Sequence, residues 1–227
     1  MRKVAFFDID GTVFRSSLLI ELVESGIRAE LFPASIRDVY AESERAWRNR
    51  EGSYEEYINK VVEAFMFHLK GVPYGAFADL GRQVALEQGR YVYRYTRDLI
   101  RDLRAKDYFL VAVSQSPKTI LDEFCASLGF HKVYGRIYEL GPQDRFTGVV
   151  TDVELIQDKS RIVERVFERE GFSREGSIGV GDTDGDIPLL QSVEMPICFN
   201  PNRALYDHAR LHNWPIVVER KDVVYTL

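Results

Sequence analysis

Three short polar clusters in this chain each follow an apolar run. Val4-Ala5-Phe6-Phe7 leads into Asp8-Ile9-Asp10-Gly11-Thr12, Leu110-Val111-Ala112-Val113 into Ser114-Gln115-Ser116-Pro117, and Ile178-Gly179-Val180 into Gly181-Asp182-Thr183-Asp184-Gly185-Asp186. Residues i and i+2 of an extended chain point the same way. Asp8 and Asp10 therefore share one side of a strand end. Two carboxylates that close repel each other unless a cation or a shared proton intervenes. Mg²⁺ is the simplest such partner and is the expected cofactor. The chemistry these residue types can perform is phosphoryl transfer. A carboxylate can attack phosphorus and form an aspartyl-phosphate. A second acid can protonate the leaving oxygen and later deprotonate a water. Mg²⁺ on one or two carboxylates offsets the phosphate charge. The Ser114 hydroxyl and helix N-terminal N–H groups can hold phosphate oxygens, and a Lys adds a positive point charge. Lys159, at the start of a predicted helix, is the best-placed candidate.

These clusters need a scaffold that brings strand ends together. Short apolar runs closed by turn residues read as strands buried on both faces. From Gly89 onward they alternate with helical segments: Tyr91 to Lys106, the stretch after Pro117 to Leu128, Asp158 to Glu170, Pro188 to Ser192 and Arg203 to His212. Such alternation predicts an α/β fold, a doubly wound parallel sheet whose strand carboxyl ends line one crevice. Ser116 is the expected N-cap of the helix after Pro117. Val133 to Leu140 and Phe146 to Leu155 flank Gly141-Pro142-Gln143-Asp144, a hairpin signal. The last strand is expected at Ile216 to Val218. Residues 15–86 differ in texture. Apolar residues there recur at helical spacing, most clearly Tyr54, Tyr57, Ile58, Val61, Val62, Phe65, Met66 and Leu69. Ser53 with Glu56 three residues on reads as the start of that helix. The organisation expected is a core of residues 1–14 and 87–227 with a helical insertion at 15–86.

Asp8-Ile9-Asp10-Gly11-Thr12, Ser114 at a strand end, Lys159 at a helix start and the Gly181–Asp186 loop together resemble the haloacid dehalogenase (HAD) superfamily of phosphatases. The insertion is similar to that family's C1 cap. Ile187-Pro188-Leu189-Leu190 and Asn200-Pro201-Asn202 resemble its phosphoserine-phosphatase-like branch. The resemblance implies a Rossmann-like core and Mg²⁺-dependent hydrolysis of a small phosphomonoester. It implies that Asp8 is the nucleophile and a Mg²⁺ ligand. Asp10 would be the general acid/base, with a carbonyl on Mg²⁺. Ser114 and the Gln115 N–H would hold the phosphoryl group, and Lys159 would neutralise it and Asp8. Asp182 would ligate Mg²⁺, and Asp186 would orient a Mg²⁺-bound water or Lys159. Three departures argue against phosphoserine as substrate. Ser17 stands where that branch carries a Glu, the cap helix offers Lys60 in place of an Arg, and Gln115-Ser116-Pro117 replaces two glycines after the Ser. Arg15, Glu21, Arg45, Trp47 and Arg48 are candidate cap contacts.

The bulk properties agree with such an enzyme. The chain has 227 residues, 45% hydrophobic and 29% charged, an ordinary globular composition. Its net charge of −5 does not favour nucleic acid or an anionic membrane as a partner. Cys125 and Cys198 lie in apolar surroundings without metal spacing and read as buried free thiols. With no secretory leader and no apolar run of about 18 residues, a cytoplasmic monomer or homodimer is expected. His208 and His212 sit four apart without a third ligand and read as a solvated helix face. Tyr91, Tyr93 and Tyr95 read as cap–core packing. A phospho-acceptor switch would share the acids, Ser and Lys but not the cap, a phosphomutase would need the cap to exclude water, and an inactive relative would not be expected to keep the whole set.

Overall fold

The computed structural model describes residues 2–227. Strand β1 (Val4–Asp8) is followed by helices α1 (Leu18–Arg28), α2 (Ala41–Arg48), α3 (Tyr54–Leu69) and α4 (Tyr74–Gln88). Helix α5 (Arg94–Ala105) leads back through β2 (Phe109–Pro117), α6 (Lys118–Leu128) and β3 (Lys132–Leu140). Next come β4 (Phe146–Thr151), α7 (Val153–Gln157), α8 (Lys159–Glu170), β5 (Ile178–Gly181), α9 (Ile187–Gln191) and β6 (Met195–Phe199). Helix α10 (Arg203–His212) and the hairpin of β7 (Ile216–Arg220) and β8 (Val223–Thr226) complete the chain.

The strands form one eight-stranded sheet in the order β4-β3-β2-β1-β5-β6-β7-β8. The inner strands run parallel, and β4 and β8 are antiparallel edges. This is the doubly wound α/β sheet that the alternation predicts. β1 is central, with β2 on one side and β5 on the other, so the strand order reverses there and a crevice opens beyond its carboxyl end. Its side chains divide by alternation. Ala5 and Phe7 enter one apolar cluster, and Val4 and Phe6 the other, all of them buried. The first cluster runs without a break from the sheet into the insertion, through Leu22, Phe65 and Phe77. The helices between β1 and β2 therefore pack directly on one face of the sheet. Ser53 caps α3 as expected, accepting the Glu56 N–H at 3.1 Å.

Several local expectations fail for tertiary reasons. Residues 91–93 are not helical. They cross the chain's first turn, where Val92 bridges Phe14 and the Tyr93 N–H reaches the Val13 carbonyl at 3.0 Å. Tyr93 and Tyr95 pack on Phe199 of the sheet, with ring centroids 5.0 and 5.5 Å away, and the Arg15 guanidinium lies over the Tyr93 ring at 5.2 Å. Ser116 does not cap α6, because β2 continues to Pro117, which pairs with Arg136 of β3. The expected strand ends at Thr151 instead of Leu155, because the chain turns there into α7, and β8 is an added strand. Both cysteines are free and buried. His208 and His212 stack on each other at 4.2 Å beside Trp214. Among the described residues no helix is long and apolar enough to cross a membrane.

Candidate active site

The site begins where β1 ends. After Asp8 the Ile9 carbonyl accepts the N–H groups of Val13 and Phe14 at 2.9 and 2.8 Å, which curls the chain sharply at Gly11. Gly11 has φ +86°, and a methyl group there would overlap the Asp182 carboxylate. Handedness and space both demand glycine. The turn directs Asp10 back toward α1 and β2. Asp10 Oδ1 accepts the Leu18 N–H at 2.6 Å, and Oδ2 accepts the Ser114 hydroxyl at 2.5 Å. Ser114 Oγ in turn accepts the Ser116 N–H at 2.9 Å.

Lys159 is the first residue of α8, a start fixed by Asp158, whose side chain accepts the Ser160 N–H at 3.0 Å. Its ammonium donates to Asp8 Oδ1 at 2.6 Å and to Asp186 Oδ1 at 2.5 Å. All three side chains are at least nine-tenths buried. The other Asp186 oxygen accepts the N–H groups of Asp182 and Thr183, each at 3.0 Å. Asp182 Oδ1 accepts the Thr12 hydroxyl at 2.9 Å, and its carbonyl accepts the Asn202 N–H at 2.8 Å. Every carboxylate is thus oriented by a neighbour. Among these carboxylate oxygens Asp8 Oδ2 is the one that is both buried and without a hydrogen-bond partner.

That orphan oxygen is the test of a metal site. Asp8, Asp182 and Asp186 each offer a carboxylate oxygen within 4.8 Å of the others. One ammonium faces this set, so negative charge is in excess. Hard oxygen donors in excess of their counter-charge fit a small divalent cation. Protonation reflects the same imbalance. Burial pushes the Asp8 carboxyl up to about 7, and Asp186 and Asp10 add to the rise against Lys159. Burial likewise lifts Asp182 well above the ordinary carboxylate range, with Asp8 and Asp186 contributing. Asp10 is raised by burial and held back by its bonds from Ser114 and Leu18. Burial works against the Lys159 charge, but Asp186 and Asp8 outweigh it and raise its pKa.

A pH dependence follows from Asp8. Its folded value of about 7 lies above the ordinary 3.8. The stability it contributes is therefore full below about 4 and lost as pH rises toward 7. A cation on the deprotonated cluster restores it. The rise in Tm on adding Mg²⁺ should be larger at pH 8 than at pH 5.5, and an equal rise at both would contradict this electrostatic description.

The structure brings Asp8, Asp10, Ser114, Lys159, Asp182 and Asp186 into one cluster at the strand ends. Gln115 lies beside it with an exposed side chain. The proposed cap cations do not reach in. Lys60 faces solvent and pairs with Glu63 at 2.8 Å, Arg48 pairs with Glu44 at 2.7 Å, and Arg45 is exposed. Arg15 is spent on the linker, donating to the Val92 carbonyl at 3.0 Å and to Glu219 at 2.9 Å. Glu21 is half-buried in α1, and Trp47 packs on Tyr54 with centroids 5.4 Å apart. Tyr54 is the residue that sequence reasoning placed in the helix core. Burial raises its hydroxyl pKa first, then the negative charges of Asp10 and Asp182. Its phenol is therefore within electrostatic reach of both acids. Helical periodicity cannot separate a stripe aimed at a core from one aimed at a crevice.

The glycine turn gives a sharp prediction. Gly11→Ala adds a strained φ and a methyl against the Asp182 carboxylate. It should cost about 1–2 kcal/mol of stability and reduce the rise in Tm on adding Mg²⁺. An unchanged rise would show that Asp182 does not need this space.

Residues 5–191 match the family model described as haloacid dehalogenase-like hydrolase. The chain belongs to this family. Among curated haloacid dehalogenase-like relatives, a phosphoserine phosphatase from Archaeoglobus fulgidus is 27% identical over 92% of this chain, which spans 55% of that protein's length. A histidinol-phosphatase from Neisseria meningitidis is 23% identical over 96% of this chain and 99% of its own. A Bordetella pertussis protein of unknown function superposes with a TM-score of 0.77 at 18% identity, covering 95% of this chain and 98% of that one. A phosphoserine phosphatase solved as a phospho-aspartyl intermediate analogue gives 0.63 at 20% identity, covering 97% and 95%. At these identities the structures show a shared haloacid dehalogenase-like fold.

Proposed function

We propose that this protein is a Mg²⁺-dependent phosphatase that hydrolyses a small phosphomonoester through a phosphoryl group on Asp8. The observation that carries the reading is Asp8 itself. Lys159 pins one of its oxygens at 2.6 Å, while the other is buried, unpartnered and beside Asp182. A structural aspartate would have both oxygens satisfied. Asp8, Asp182 and the Asp10 carbonyl are the ligands proposed for Mg²⁺. The ion would supply positive charge for the phosphate oxygens when bound.

The protein's own groups account for the rest. The Asp8 carboxylate attacks phosphorus, and the bond to the leaving oxygen breaks as the new P–O bond forms. Asp10 donates a proton to the leaving oxygen, and its raised pKa suits a group that must hold one. A water then attacks phosphorus, Asp10 takes its proton, and the Asp8–phosphorus bond breaks to release phosphate. Lys159 offsets charge on Asp8 and the phosphoryl group throughout. Ser114 holds a phosphoryl oxygen by turning its hydroxyl away from Asp10, and the Gln115 N–H assists. Asp186 fixes Lys159. The insertion, residues 15–86, acts as a cap that limits water and selects the leaving group. The named relatives share a phosphate ester and differ in its carrier, which supports phosphate release more than any one substrate. The departures at Ser17 and Lys60 weigh against phosphoserine. Release of phosphate from p-nitrophenyl phosphate, dependent on Mg²⁺ and abolished by a chelator, tests the reading. One stable phosphorylation per chain without turnover would replace it with a phospho-acceptor.

A further inference from the structure

The two edges of the sheet are finished differently. At β4 the loop between α3 and α4 covers the start of the edge. The Gly71 N–H donates to the Phe146 carbonyl at 2.8 Å, and the Phe146 N–H donates to the Val72 carbonyl at 3.0 Å. The Arg145 guanidinium adds a bond to the Gly71 carbonyl at 2.6 Å. β8 closes the strand order on the other side, and among the described residues no segment pairs with its outer edge. An open strand edge is a template for another strand.

Register shows which groups this edge offers. Alternate residues of an antiparallel strand turn their backbone groups toward the paired strand and away from it. The Ile216 carbonyl accepts the Leu227 N–H at 2.9 Å, whereas the Val217 carbonyl turns the other way and accepts the Asn200 N–H at 2.8 Å. Thr226 stands opposite Val217, and Val224 stands opposite Glu219. The Glu219 N–H also turns away from β8, to Asn200 Oδ1 at 2.9 Å. Val224 and Thr226 therefore point their N–H and C=O groups outward. The Asp222 carbonyl is already taken by the Arg94 guanidinium at 2.8 Å, so the free run starts at Val224. Val223, Tyr225 and Leu227 share one face and are 43, 49 and 61% exposed. The solvated face of an edge strand is ordinarily polar, and this one is apolar at each alternate position.

We propose that β8 is the surface through which two copies of this chain associate, antiparallel about a two-fold axis at Tyr225. In this register Val224 exchanges two hydrogen bonds with the partner's Thr226, and the axis repeats them, so every outward group is used. Tyr225 meets the partner's Tyr225 as a non-hydrogen-bonded pair with Cα atoms about 4.5 Å apart, and Val223 meets the partner's Leu227. Centring the axis on Val224 would instead set Thr226 against the carbonyl that Arg94 occupies. The strand is its own complement, which makes a second copy the occupant, and a two-fold contact closes at two chains. Three apolar side chains and four hydrogen bonds fall short of the roughly 1,200 Å² of a standard interface, so dissociation is expected in the range of about 1–50 μM.

Sedimentation velocity of the full chain from about 1 to 200 μM, a range that brackets this affinity, should show the mass rising from one chain toward two. Tyr225→Lys sets two ammonium groups face to face. Thr226→Pro removes an outward N–H and leaves the β7–β8 ladder intact. Both variants should remain single chains throughout. Tyr225→Cys reads the register without removing a backbone bond. Cys125 and Cys198 are buried, and a Cα separation of about 4.5 Å permits a disulfide. Mild oxidation should link two Tyr225→Cys chains but not two Thr226→Cys chains, whose thiols lie on the other face. A wild-type chain that stays single at every concentration overturns the proposal. A dimer that survives Tyr225→Lys, or Tyr225→Cys chains that do not link, overturns it as well, because the contact would then lie elsewhere.

Discussion

Asp8→Asn is expected to lower kcat by about four orders of magnitude or more while leaving the fold intact. The carboxamide keeps the shape of the side chain but has no anionic oxygen to attack phosphorus, and no bound group can substitute for a missing nucleophile. Stability should move the other way. Asp8 is a buried acid whose pKa is pushed up to about 7 by burial and by neighbouring acids. Replacing it with a neutral isostere relieves repulsion from Asp182, and Lys159 keeps its contact with Asp186 at 2.5 Å. Without metal at pH 8 the variant should unfold at or above the wild-type Tm. With Mg²⁺ its Tm should rise less than that of the wild type, because one ligand is gone. Activity within tenfold of wild type would remove Asp8 from the mechanism. A large fall in Tm would mean that its contact with Lys159 is structural first.

Lys159→Met should give the largest loss of stability. It leaves Asp8 and Asp186 buried with no cation against them. Removing one partner of a buried ion pair costs about 3–5 kcal/mol, or roughly 10 °C in Tm for a chain of this length. The loss should depend on pH. Without the ammonium, which lowers it, the Asp8 carboxyl is pushed further up, so its folded pKa lies above the unfolded one. Such groups stabilise fully below the unfolded value and lose that contribution as pH rises through the folded value. The deficit relative to wild type should therefore be small near pH 4.5, large at pH 8, and partly recovered by Mg²⁺. Thermal denaturation at the two pH values, with and without Mg²⁺, reads all of this. A deficit independent of pH would mean that Lys159 acts by packing its aliphatic stem rather than by charge.

Much of the site was legible because its parts are local. Asp8 and Asp10 declare themselves through an i, i+2 spacing at the end of an apolar run. Lys159 does so through a helix start that Asp158 marks by itself, and Asp182 and Asp186 through a short turn after a strand. The parallel sheet follows from strands that are apolar on both sides, as Val4 to Phe7 are. What the sequence hid depends on contacts between distant segments. Ser116 has the chemistry of an N-cap but is held in β2, because Pro117 pairs with Arg136. Tyr91 to Tyr93 have helical neighbours but are drawn into an extended crossing by Phe14 and Val13. Strand β8 is only four residues long and exists through its register with β7. Nothing in the sequence singles out Glu219. In the fold it is buried and accepts the Arg94 and Tyr95 N–H groups at 3.2 and 2.8 Å and the Arg15 guanidinium at 2.9 Å. It thereby ties the C-terminal hairpin to the linkers of the insertion. Arg15, Arg48 and Lys60 had the right charge to meet a substrate, but local carboxylates claimed them.

The central claim is a covalent phosphoryl group on Asp8, and Asp10→Asn makes it observable. p-Nitrophenolate leaves without needing a proton, so attack by Asp8 should survive this substitution. The water step, which needs a base, should stall. Mass spectrometry of the peptide spanning Asp8, after acid quench of Asp10→Asn protein with p-nitrophenyl phosphate and Mg²⁺, should show a phosphoryl group on Asp8. None should appear when Asp8→Asn is added. Continued phosphate release with no phosphorylated Asp8 at any quench time would mean that water attacks the substrate directly, and the account would be wrong.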